Sequence, residues 1–310
     1  MSSQPGGQTA AGSRWADLGV PVHYVDHGGP ADGPPLVMVH GLGGSLVNWV
    51  ALAPLLTDTC RVLALDLIGF GLTQAGTHST SVDANQHMLQ RFLTEVIGGP
   101  AILVGNSMGA MIAILQATRH PTTVGALVLV DPPLPGLWEA RPDPLVAFGF
   151  GLYAVPPRGR AMLKARRRVR SPEQLAMDLL RLCCVDAARV SPAVIEQHLE
   201  VARTRRGYAD IDSQFLAAAR SLMAVLARRK PYLAAMRAIR VPVLLLHGEK
   251  DRLVPIGASR AVAAANPSWR FRVAPEAGHV PQLEVPEWTA DQILDWLATD
   301  AADVAARSGE

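Results

Sequence analysis

The pentapeptide Gly105-Asn106-Ser107-Met108-Gly109 constrains this chain more than any other feature. The apolar run Ala101 to Val104 leads directly into it, and a stretch of helical spacing, Ala110 to Thr118, follows directly. A strand that becomes a helix within so few residues needs glycine on both sides of the turn, where two backbones approach too closely for a Cβ. Ser107 is thereby expected on a strained tight turn at the strand's C-terminal end. A chain organised around such a unit belongs to the α/β class.

The same alternation runs through the first 132 residues. Leu36 to His40, Val62 to Leu67, Ile102 to Gly105 and Leu127 to Val130 read as buried parallel strands. Val82 to Val96 and Met108 to Arg119 read as the helices between them, which gives a doubly wound, mostly parallel sheet. At Pro132 the strand signal stops, and the chain turns helical and Arg-rich as far as Met236. It resumes with Val241 to His247 and Trp269 to Ala274, and Trp288 to Leu297 closes the domain. The expected organisation is a core of residues 17–131 and 237–300, an all-helical insertion at 132–236, a flexible leader at 1–16 and a flexible tail at 301–310.

Charge is distributed unevenly over this plan. Pro132 to Met236 holds 17 Lys and Arg against 9 Asp and Glu, whereas the chain as a whole carries a net charge of only +2. The densest run, Lys164 to Arg170, reads first as a solvated helix face. An acidic substrate, a membrane surface or nucleic acid is the alternative, although no aromatic residue is interleaved to stack bases. No apolar stretch approaches the roughly 20 residues that span a bilayer. Leu145 to Pro157 comes nearest and is interrupted by Gly149, Gly151, Pro156 and Pro157. The leader lacks the basic start and apolar centre of a secretory signal. Cys60, Cys183 and Cys184 show no metal-ligand spacing, so reduced thiols and a cytoplasmic location are expected.

A serine hydroxyl is a weak nucleophile at neutral pH and needs a histidine base that is itself oriented by a carboxylate. Asp251 follows the strand Val243 to His247, and His279 follows the last strand and precedes Pro286, so both fall on the same rim of the sheet as Ser107. The chain order Ser107, Asp251, His279 is the order this arrangement uses. Asp131, directly after Leu127 to Val130, is the rival acid. Charge developing on a carbonyl oxygen needs preorganised N–H donors: Met108 at the start of its helix offers one, and Leu42 in the glycine-rich loop His40-Gly41-Leu42-Gly43-Gly44 offers the other. That loop lacks the spacing of a phosphate cradle.

With these residues in place the chain resembles the α/β-hydrolase family, in its fold-1 branch of lidded serine hydrolases. The resemblance rests on HGLGG at 40–44, DLIGFGLT at 66–73, GNSMGA at 105–110, HGEKD at 247–251 and GHVPQLEVPE at 278–287. Thr73 departs from it, because the family's loop more often carries serine there. The resemblance implies Ser107 as nucleophile, Asp251 as acid, His279 as base, Leu42 and Met108 as oxyanion donors, and the insertion as a cap over the site. Serine at the nucleophile position argues against dehalogenase and epoxide hydrolase chemistry.

Trp49, Phe148, Phe150 and Tyr153 are the expected pocket residues. The leading expectation is a cofactor-free and metal-free hydrolase of carboxylic esters with a hydrophobic acyl or ring-bearing group, acting through an acyl-serine. The alternatives are hydrolysis of a carbon-carbon bond in ring-fission dienones, lactone opening or perhydrolysis, a non-catalytic receptor on the same fold, and an interaction module using Arg166, Arg167 and Arg168. The expected partner is a small molecule, with neither nucleic acid nor stable membrane insertion. The sequence leaves monomer and homodimer equally open.

Overall fold

The computed structural model describes residues 12–135 and 143–306; most of the expected leader and the end of the tail lie outside them. Eight strands form one sheet: β1 (Ser13–Asp17), β2 (Pro21–Gly28), β3 (Pro35–Val39), β4 (Arg61–Leu65), β5 (Ala101–Asn106), β6 (Val124–Val130), β7 (Val243–Gly248) and β8 (Arg270–Ala274). Their spatial order is β1-β2-β4-β3-β5-β6-β7-β8, parallel except where β1 meets β2 and β2 meets β4. Side-chain alternation splits the core into two layers. In β3, Val37 and Val39 face one layer, while Leu36 and Met38 face the other.

The helices are α1 (Val82–Phe92), α2 (Met108–Arg119), α3 (Pro144–Ala154), α4 (Pro156–Val169), α5 (Pro172–Cys183), α6 (Pro192–Arg205), α7 (Ile211–Ala227), α8 (Arg229–Ala238), α9 (Ile256–Ala265), α10 (Pro281–Glu284), α11 (Pro286–Thr299) and α12 (Ala302–Ala306). Proline stands in the first turn of α3, α4, α5 and α6, where its missing N–H costs nothing, and so marks where these four helices begin. Ser171 and Gln174 complete a capping box on α5.

Three boundaries differ from the sequence expectation. Residues 13–16 belong to β1, paired in register with β2 through Trp15 and His23, and not to a flexible leader. This edge strand is half exposed, so it lacks the apolar run that betrays a buried one. α8 carries Tyr232 and Met236 into the layer that contains α2, so the chain has returned to the core domain before residue 236. Residues 302–306 of the expected tail are helical, anchored by the buried Ala301.

Candidate active site

β5 ends at Asn106, and Ser107 adopts φ 53° and ψ −120° before α2 begins. A non-glycine residue at positive φ is strained and persists only where its surroundings fix it. Those surroundings are visible. Ser107 N–H donates to Val130 O at 2.9 Å, and a Cβ on Gly109 would lie 2.1 Å from Val39 O. A Cβ on Gly105 would lie 2.6 Å from the Ala110 backbone. The turn therefore closes only with glycine on either side of it.

His279 and Asp251 meet as the sequence anticipates. His279 Nδ1 lies 2.7 Å from Asp251 Oδ2, while Asp251 Oδ1 accepts from Leu253 N–H at 2.7 Å and Val254 N–H at 3.0 Å. Burial works against ionisation of Asp251, but the neighbouring His279, its hydrogen bond and these backbone donors hold the carboxyl below the usual range. Asn106 ties the pair to the nucleophile turn, since its Nδ2 donates to His279 O at 3.0 Å and to Val130 O at 3.3 Å.

Asp131 sits beside this pair at φ 46° and contacts Gly248 instead of His279, accepting its N–H at 2.8 Å. Its second oxygen is buried without a partner. Burial, and then the charge of Asp251, push the Asp131 carboxyl well above the ordinary value, which favours its protonated form. His247 completes the cluster. Its Nδ1 accepts from Ser259 Oγ at 2.8 Å, which leaves the proton on Nε2 to face Val254 O at 3.0 Å. Asp131, His247 and Asp251 converge closely enough for a metal site, but His247 Nε2 carries a proton and Asp251 is engaged by His279, so the donor set does not suit an ion.

The loop at 40–44 packs against Ser107, with a Cβ on Gly41 falling 3.0 Å from Ser107 Cβ. A buried network fixes its far side. Asp66 accepts from Leu46 N–H and Leu72 N–H, each at 2.8 Å, and pairs with His23 Nδ1 at 2.7 Å. His40 Nε2 accepts from Leu67 N–H at 3.0 Å, so Nδ1 holds the proton and donates to Gly41 O at 2.8 Å. Burial lowers the pKa of His40, consistent with a neutral ring. From the cap, Arg205 donates to Gly69 O at 2.8 Å and Gly71 O at 2.9 Å, clamping α6 onto the same network.

Leu42 is half-buried between the core and a cap cluster formed by Tyr153, Leu216 and Ala219, and Met108 is fully buried at the head of α2. Phe150 and Tyr153 join that cap cluster, with Tyr153 edge-on to Phe150 at 5.8 Å and to Phe215 at 5.3 Å. Two expected pocket residues lie elsewhere. Trp49 is 0 % exposed within the second core layer and offers no open surface, and Phe148 is 64 % exposed on the outside of α3. Phe215, which sequence reading passed over, does reach the site: its ring lies 3.3 Å from where a Gly43 Cβ would stand, with Leu179 beside it. Its only sequence signal is the helical stripe Phe215, Ala218, Ala219, Leu222 along α7.

Glu284 lies inside the segment 278–287 that carries the resemblance, but the sequence assigned it no role. Its buried carboxylate accepts from Gly278 N–H at 2.6 Å on one oxygen and from Val185 N–H at 2.9 Å and Asp186 N–H at 3.0 Å on the other. His279 N–H donates to Cys183 O at 2.7 Å, so the histidine loop and the end of α5 form one hydrogen-bonded unit.

Comparison with known proteins bears on the fold and the family. The dihydrolipoyllysine-residue acetyltransferase component of the acetoin cleaving system of Pseudomonas putida is 28% identical over 92% of this chain, which spans 66% of that relative. The 2-hydroxy-6-oxo-6-(2'-aminophenyl)hexa-2,4-dienoic acid hydrolase of Metapseudomonas resinovorans is 27% identical over 91% of this chain and 89% of its own length. The malate-bound structure of a thermophilic esterase from Thermogutta terrifontis superposes with a TM-score of 0.69 at 27% identity, covering 95% of this chain and 99% of that one. The family profile for the alpha/beta hydrolase fold matches residues 34–286, from the strand before the glycine-rich loop at 40–44 to the helix after His279, and the chain belongs to that family.

Proposed function

We propose that this chain is a serine hydrolase that cleaves carboxylic esters of a hydrophobic acyl or ring-bearing small molecule. The observation that carries the reading is the His279–Asp251 pair at 2.7 Å, on a loop fastened through Asn106 to the strained turn of Ser107. In this reading His279 Nε2 removes the Ser107 Oγ proton as Oγ attacks the ester carbonyl, and the N–H groups of Leu42 and Met108 receive the oxyanion. Collapse breaks the bond to the alkoxide, which takes the proton from His279 and leaves an acyl-serine. Water, deprotonated by His279, then releases the carboxylate and restores Ser107. Asp251 keeps the Nδ1 proton in place and offsets the imidazolium charge.

Phe215 and Leu179 pack over Gly43 beside Leu42, so the surroundings of that loop are apolar, which favours apolar acyl groups. Three unpaired cysteines fit a reducing cytoplasm. A second reading rests on the Metapseudomonas relative, whose name describes hydrolysis of a dienoic acid. There the same serine and histidine would break a carbon-carbon bond instead.

Hydrolysis of p-nitrophenyl esters of graded acyl length by the wild type and by a folded Ser107→Ala variant tests the proposal. Turnover that disappears with Ser107 supports the acyl-serine route. Turnover that survives in the variant removes it, and absence of ester turnover beside cleavage of a dienone would select the second reading.

A further inference from the structure

The outer face of the cap carries two features that the proposed chemistry does not use. α3 has no charged or amide side chain from Pro144 to Ala154, yet only one side of it is covered. Val146 and Tyr153 are buried, while Leu145 is 69 % and Phe148 64 % exposed. A helix that is apolar all round belongs in a core or at a boundary between apolar and polar phases. α4 then supplies the opposite character. From Pro144 to Arg170 the chain holds seven Lys and Arg and no Asp or Glu.

The two features share one surface. α3 packs on α7 through Tyr153 and Phe215, and α4 packs on α7 through Gly159 and Leu216, so the sides of both helices turned away from α7 lie next to each other. Gly159, Met162 and Leu163 face inward on α4, whereas Arg158, Lys164 and Arg168 are exposed. Arg167 pairs with Asp212, and Arg166 and Arg170 with Asp178. Among the described residues Arg158, Arg160, Lys164 and Arg168 have no acidic partner.

We propose that this face of α3 and α4 docks on an anionic lipid surface, with Leu145 and Phe148 entering the acyl boundary and Arg158, Arg160, Lys164 and Arg168 meeting headgroup phosphates. Charge complementarity selects this occupant. A second copy joined through the same patch would bring the same cations face to face, and nucleic acid would leave Leu145 and Phe148 without an apolar partner. Among the described residues no helix is long and apolar enough to cross a membrane, so the cap rests on the surface. The inference is independent of which bond the site cleaves.

Co-sedimentation with phosphatidylglycerol and phosphatidylcholine vesicles tests it, using the wild type, a Leu145→Ser/Phe148→Ser variant and an Arg158→Gln/Lys164→Gln/Arg168→Gln variant. Wild-type binding is expected on the anionic vesicles, weakening as salt is raised. The charge variant loses about a hundredfold in affinity, from roughly fivefold per cation near the surface. The apolar variant loses about tenfold, both with an unchanged thermal midpoint. Absence of binding to anionic vesicles overturns the proposal, as does wild-type affinity in either variant. A wild-type dimer abolished by the Leu145→Ser/Phe148→Ser change would assign the patch to a second copy, and tighter binding to duplex DNA than to vesicles would assign it to nucleic acid; either result also overturns it.

Discussion

Replacing Glu284 by Gln tests whether the histidine loop is held from the cap side. In the wild type one buried carboxylate serves three backbone donors, two on the insertion at Val185 and Asp186 and one on the His279 loop at Gly278. The amide of Gln keeps a single acceptor oxygen. If that oxygen stays with Val185 and Asp186, the NH2 group confronts Gly278 N–H across a contact that was 2.6 Å. One charge-assisted bond is lost and a buried donor is left unpaired, a cost of about 2 to 4 kcal/mol. Gly278 has little room to adjust, since a Cβ there would already lie 2.3 Å from Cys183 O. The loop must therefore move at His279, whose own N–H is bound to that same carbonyl.

Two measurements follow from this. The unfolding free energy of Glu284→Gln from urea titration should fall by the amount above, and on the proposed mechanism kcat toward a soluble ester should drop about 10- to 100-fold with KM nearly unchanged, because His279 is displaced while the pocket is not. Repeating the denaturation in a Ser107→Ala background should give the same loss of stability. A Glu284→Gln protein with a wild-type midpoint and wild-type kcat would refute the coupling.

Two further substitutions probe the turn and the acid cluster. Gly109→Ala drives a methyl group to 2.1 Å from Val39 O, a backbone atom that cannot swing aside, so a loss of about 3 kcal/mol or failure to fold is expected by chemical denaturation; a stable, active variant would contradict the turn geometry. Asp131 keeps its proton in the folded state to well above the ordinary 3.8, so the folded chain binds more protons than the unfolded one and stability falls as pH rises from that value through the raised one. Asn at 131 cannot ionise and should gain on the wild type across that window by up to about 1.4 kcal/mol per pH unit. Urea midpoints at mildly acidic and neutral pH that run parallel for the two proteins would show that Asp131 does not titrate as described.

What the sequence discloses here is what local covalent and steric rules can write into it. Gly105 and Gly109 flank Ser107 because no other residue fits the closing turn, and the central parallel strands such as β5 and β7 are buried on both faces and so read as apolar runs. Asp251 and His279 were placed on a common rim by chain order and strand ends alone, and they meet at 2.7 Å. The pocket was less legible for a physical reason. Phe148, Phe150 and Tyr153 are neighbours in one apolar helix, and the difference between the outside of the cap and its packed interior is a rotation about that helix's axis. α3 is apolar on every side, so its periodicity carries no phase, and only α7 and α4 packing against it decide that Tyr153 turns inward and Phe148 outward.

The connections that hold the site together are harder still to read, because their far ends are backbone groups. Asn106 reaches His279 O, Arg205 reaches Gly69 O and Gly71 O, and Glu284 reaches three N–H groups. Every residue offers such a group, so no partner side chain marks the contact in the sequence. Asp131 shows the converse. Its identity was legible as a possible acid, but whether it serves His279 depends on which oxygen finds a donor. Gly248 N–H takes one oxygen of Asp131 and leaves the other bare, while Asp251 finds backbone donors for one oxygen and His279 for the other. Two carboxyls this close cannot both ionise without cost, which favours the charge on the one with partners for both oxygens and the proton on the orphaned one. On the proposed mechanism that division favours Asp251 over Asp131 as the carboxyl that orients His279, although a strand end supplies each of the two.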